Sequence, residues 1–74
     1  MNEIATNSAD ALIRSWTASY DGLSTLKLID EMVDVLDFFG YTAHRHGLWL
    51  ETEEGRVYRF YRHPTGWEIR ARAL

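Results

Sequence analysis

From residue 41 to residue 73 the chain is written in short alternating segments, at about 41–45, 48–52, 56–62 and 67–73. Between them stand His46-Gly47, Glu53-Glu54-Gly55 and His63-Pro64-Thr65-Gly66. Successive side chains of a strand point to opposite faces, and glycine, proline and small polar residues supply the backbone angles that reverse a chain. Such a run predicts a meander of three to four antiparallel strands.

The turns also predict a register, because a slip of one residue carries every side chain to the wrong face. If Glu53-Glu54-Gly55 is a three-residue loop with glycine in the left-handed region, Leu50 faces Tyr58 and Leu48 faces Phe60. A four-residue turn from His63 to Gly66 sets Phe60 against Ile69 and Tyr58 against Ala71. A tight His46-Gly47 turn puts Ala43 beside Leu50. The three choices agree on an inner face of Tyr41, Ala43, Leu48, Leu50, Tyr58, Phe60, Trp67, Ile69 and Ala71. The outer face then carries His44, Trp49, Glu51, Val57, Arg59, Tyr61, Glu68, Arg70 and Arg72. Arg59 and Arg70 become cross-strand neighbours, a mildly unfavourable pairing of like charges.

Something must cover the inner face, and the preceding residues have helical spacing. Residues 1–6 carry no pattern and are expected as a loose end. Asn7 or Ser8 can cap a first helix at about 8–18, with Ala9, Leu12, Ile13 and Trp16 on its apolar stripe. Ser24 can cap a second at about 24–39, which Gly40 should end. On this helix Leu28, Ile29, Met32, Val33, Val35, Leu36 and Phe39 fall on a broad apolar face. Lys27, Asp30, Glu31, Asp34 and Asp37 lie opposite, with Phe38 in the acidic strip and expected to tuck under the first helix. The expected fold class is α+β: one domain of residues 1–74, with two N-terminal helices packed on one face of a three- to four-stranded antiparallel β-meander.

Size and composition narrow the function classes. A chain of 74 residues buries only about 60% of its unfolded surface, so a large interior pocket is not expected. There is no apolar run of membrane-spanning length and no basic start followed by an apolar run, so neither a membrane span nor a signal peptide is expected. The absence of cysteine removes disulfides and thiolate metal sites and makes the cytoplasm the default setting. Residues 1–55 hold ten Asp and Glu against Arg14, Lys27 and Arg45, a net of −7, whereas residues 56–74 hold five Arg against Glu68, a net of +4. The chain is thus two-signed, although its overall −3 is not the footprint of a general nucleic-acid binder.

Two surfaces stand out. Asp30, Glu31, Asp34 and Asp37, with Phe38 among them, are either a solvated helix face or a contact for a basic partner. Each turn of helix advances the charge by about 5.4 Å, not far from the spacing of neighbouring phosphates. His44, Trp49, Arg59, Tyr61, Arg70 and Arg72 combine guanidinium and aromatic groups on the outer sheet face. They either shield a thin sheet, bind a protein partner, or stack bases and contact phosphates. His44 and His46, with Glu51 or Glu53, are too few and too divergent in this register for a metal to be expected. No nucleophile, phosphate-binding glycine loop or paired-carboxylate cleft appears, so neither catalysis nor a cofactor is expected.

A helix followed by three strands, with Phe39-Gly40-Tyr41 opening the sheet and Arg62-His63-Pro64-Thr65-Gly66 turning it, resembles the HicA toxin family of double-stranded-RNA-binding-like ribonucleases over about residues 26–70. The family's glycine-serine-histidine run is absent; the nearest stretch is Arg45-His46-Gly47. The family's closing helix is likewise not expected within residues 1–74, and no activity is carried over. In size, acidity and lack of catalytic motifs the chain is similar in kind to small phage-encoded inhibitors, anti-CRISPR proteins among them. The expected function is a non-catalytic module that binds a protein, such as a basic nucleic-acid-binding one, through the acidic helix or the sheet face. The alternative is a HicA-like nucleic-acid-binding or RNA-processing domain using the sheet face. A homodimer through the open sheet face or the edge strand is a further expectation.

Overall fold

The computed structural model describes residues 8–73. The expectations of a loose end at residues 1–6 and of a cap at Asn7 lie outside the described residues. Helix α1 (Ser8–Thr17) and helix α2 (Thr25–Phe38) precede strands β1 (Ala43–His46), β2 (Trp49–Thr52), β3 (Arg56–His63) and β4 (Gly66–Ala73). The strands form one antiparallel sheet in the order β1-β2-β3-β4. The helices pack on one of its faces, so the architecture is α+β. No helix among the described residues is long and apolar enough to cross a membrane.

Helix α2 begins and ends where its caps dictate. Ser24 has extended backbone angles, and its hydroxyl oxygen accepts a hydrogen bond from the Lys27 N–H at 3.2 Å. That satisfies one of the donors a helix start leaves open. At the other end Gly40 takes φ +90°. Its N–H donates to the Asp37 carbonyl at 3.0 Å and the Tyr41 N–H to the Leu36 carbonyl at 2.8 Å. This double closure requires a left-handed residue after the helix, which only glycine adopts without cost.

The core is assembled from both helices and strands β1, β2 and β3. Ala9 and Ile13 of α1, Leu28, Ile29, Met32 and Leu36 of α2, and Ala43, Leu50, Tyr58 and Phe60 of the sheet form one buried cluster. Tyr41, Trp67, Ile69 and Ala71 pack against it while half-exposed. On α1 the buried place at the end of the stripe is taken by Thr17, whose hydroxyl lies 3.6 Å from the Met32 sulfur. Trp16, expected on that stripe, is exposed.

Leu50 pairs with Tyr58, Tyr58 with Ala71 and Phe60 with Ile69, as the three-residue loop and the His63–Gly66 turn require. The first hairpin differs from expectation. His46 pairs with Trp49 and Ala43 with Thr52, so Arg45, not Ala43, lies opposite Leu50. The turn is Gly47-Leu48, with φ +62° at Gly47 and no positive φ at any non-glycine residue. A two-residue hairpin with glycine first matches a type II′ turn, whereas a His46-Gly47 turn would require a positive φ at His46. Leu48 is therefore a turn residue, 58% exposed, and not part of the inner face.

Candidate interaction surfaces

Asp30, Asp34 and Asp37 are spaced four and three residues apart on α2 and share one side of it. Asp30 is engaged: the Arg45 Nε donates to its carboxylate at 3.1 Å, tying the helix to β1. Asp34 and Asp37 are exposed and have no basic partner among the described residues. Glu31 is half-buried beside them.

Phe38 does not tuck under α1; it is 82% exposed. It follows the buried Leu36 by two residues, or about 200° around the helix, so it points away from the core that Leu36 enters. Phe39, expected on the apolar face, is the last residue of the helix cap and is 48% exposed. The two rings meet edge to face, with centroids 5.2 Å apart and planes at 87°, an arrangement aromatic quadrupoles favour. Trp16, Asp34, Val35, Phe38 and Phe39 line one open depression of about 220 Å³. The first helix thus contributes the rim of an apolar patch and leaves Phe38 uncovered.

The outer sheet face is ordered by the register into rows. Across one row run His46, Trp49, Arg59 and Arg70; across the next run His44, Glu51, Val57 and Arg72. Tyr61 stands opposite Glu68. The Arg59 guanidinium lies over the Trp49 ring, 4.8 Å from its centroid, and the Arg70 guanidinium over the Tyr61 ring at 4.6 Å. Arg59 and Arg70 tolerate being direct neighbours because the negative face of an adjacent ring attracts each guanidinium and Glu68 meets the charge of Arg70 at 2.6 Å. Val57 is only 5% exposed although it is on this face, because Glu51 and Arg72 flank it across the strands.

Both glutamates of the face are engaged. Arg70 Nε and the His63 ring each lie 2.6 Å from a Glu68 carboxylate oxygen. The hydrogen bond from Arg70, then that from His63, holds the Glu68 carboxyl below the usual glutamate range, and Glu68 in turn raises the pKa of Arg70. His46, expected in the turn, belongs to β1, and its Nε2 is 3.0 Å from the Glu51 carboxylate. His44 and His46 therefore share the outer face, two residues apart on one strand. No group of three or more His, Asp or Glu side chains suited to a metal converges among the described residues. Arg59 and Arg72 have no carboxylate partner among the described residues.

The structure thus brings Trp49, Arg59, Tyr61, Arg70 and Arg72 together and places His44 at the margin, two strands from Arg59. It separates Asp30 from the free acids and adds Phe39 and Trp16 to Phe38. The sequence carried no clear signal for Phe39, since consecutive residues of a helix can both be buried, as Leu28 and Ile29 are. Comparison of the chain with protein-family models, curated proteins and solved structures finds no match.

Proposed function

We propose that this chain is a small non-catalytic protein-binding module that occupies a basic surface on its partner through the back of α2. The observation that carries this reading is Phe38, 82% exposed one turn after Asp34 and next to Asp37, whose carboxylates have no basic partner among the described residues. Burying a phenylalanine is worth about 1.5–3 kcal/mol, enough to anchor a contact, while the acids steer approach and reject acidic partners. Phe39 and Trp16 enlarge the anchor into a patch, and the half-buried Glu31 adds an acid beside it, whereas the charge of Asp30 is already met by Arg45. A basic nucleic-acid-binding protein is the partner class that this charge fits. A module that occupied such a surface would act as an inhibitor, in the manner of the small phage-encoded proteins that the chain resembles in kind.

The test is affinity capture of a partner followed by titration with three forms of the chain. Phe38→Ala should weaken the complex at least tenfold at any salt concentration. Asp34→Lys with Asp37→Lys should weaken it most at low salt, where charge is least screened. A partner that binds all three equally removes the helix from the account.

A further inference from the structure

We infer that the outer sheet face is a second binding surface, one that takes single-stranded nucleic acid by stacking bases on its arginine-aromatic pairs. The helices cover the inner face, so this surface lies on the other side of the sheet from α2. It does not depend on the protein-binding reading.

The charge of the face is the first support. Arg59, Arg70 and Arg72 stand against Glu51 and Glu68, and the glutamates are already engaged by His46, His63 and Arg70. Arg59 and Arg72 remain without a carboxylate among the described residues. Arg59 is directly opposite Arg70, and Arg72 is two residues along β4, about 6.8 Å away at strand spacing. The two uncompensated guanidiniums, Arg59 and Arg72, flank the Glu68-bound Arg70, and an anion between them gains the attraction of both. Val57, Arg59, Tyr61, Arg70 and Arg72 line a shallow depression of about 230 Å³, so there is a place for one.

The second support is planarity. Each of two guanidiniums lies over a ring, Arg59 on Trp49 and Arg70 on Tyr61, and both arginines are exposed. Both guanidiniums thus stay within reach of a base beside the ring that holds them. Unpaired bases stack on aromatic rings and on arginine planes, whereas the bases of a duplex are stacked on one another and unavailable. A carboxylate-bearing peptide would use the charges but not the planes. The open face, the flat cations and the free charges together favour a single strand over a duplex or an acidic protein.

The experiment is fluorescence anisotropy with a labelled mixed-sequence 15-mer, as a single strand and as its duplex, at about 50 and 200 mM salt. Two to three phosphate contacts predict a single-strand affinity roughly tenfold weaker at the higher salt. Arg59→Ala with Arg72→Ala should weaken binding at least tenfold. The milder Arg59→Lys keeps the charge and the salt dependence but should weaken binding several-fold through loss of the plane. Thermal melts of both variants should match the parent, and Phe38→Ala should bind the strand as the parent does. No single-strand binding at about 100 µM protein and low salt overturns the inference. So does equal binding of the duplex, an unchanged affinity for Arg59→Lys, or equal competition by a polyglutamate of the same charge, which would point to an anionic protein instead.

Discussion

Asp10 and Tyr58 show how one polar pair can hold a helix to a sheet. The Tyr58 hydroxyl donates to the Asp10 carboxylate at 2.9 Å, Arg14 Nε donates to its other oxygen at 2.9 Å, and Arg56 approaches within 3.9 Å. Burial pushes the Asp10 pKa up, but the hydrogen bonds from Arg14 and Tyr58 and the charges of Arg14 and Arg56 outweigh it, and the net shift is downward. Burial, then the bond to Asp10, pushes Tyr58 up to about 12. Asp10→Ala leaves the hydroxyl of a residue 1% exposed without its partner and should cost about 1–3 kcal/mol in urea unfolding. Tyr58→Phe should cost less, since Asp10 keeps both arginines.

The same pair sets the pH response. Asp10 is lowered in the folded state, so its contribution is complete above the ordinary value of 3.8 and is lost as pH falls through the native value. Tyr58 is raised, so its contribution is complete below 10.0 and declines as pH rises from there toward about 12. Unfolding free energy measured against pH should fall on both limbs, and Asp10→Ala should flatten the acid one.

Among the elements, the two turns bounding β1 and β2 carry the most information. Gly40 closes α2 at φ +90°, and an alanine there meets a left-handed backbone that costs about 1–2 kcal/mol. Gly40→Ala should lower the melting temperature by roughly 4–8 °C per kcal/mol for a domain of this size. The helix end was legible because glycine after an apolar run has a single common use. The first hairpin was legible in kind but displaced by one residue, since His46-Gly47 and Gly47-Leu48 both contain a glycine and only φ at each position separates them. That displacement moves the pairing by two residues, which keeps every strand residue on its expected face. The outer face therefore had its expected members, while Leu48 and His46 exchanged places.

At the scale of the molecule, fold and binding draw on different residues. A chain of 74 residues is stable by roughly 4–11 kcal/mol in all. Leu50→Ala, at the centre of the buried cluster, should cost about 2–5 kcal/mol. That is enough to leave a weakly folded variant, visible as a lower urea midpoint. Substitutions at Phe38, Asp34 or Arg72, which are exposed, should stay within about 0.5 kcal/mol. Binding can then be probed without disturbing the fold.

By itself the sequence determined the α+β class, the two helices, the antiparallel meander and which strand residues share a face. Those follow from periods of 3.6 and 2 and from turn chemistry, which act over a few neighbouring residues. Only the tertiary structure decided that Phe38 and Phe39 remain exposed, that Asp30 is tied to Arg45, and that Arg59 and Arg70 rest on Trp49 and Tyr61. Whether a side chain is covered depends on where a second element ends in space. Thr17 at the end of α1 lies against Met32, and α1 reaches the aromatic pair only through Trp16 at its side, which no local pattern encodes.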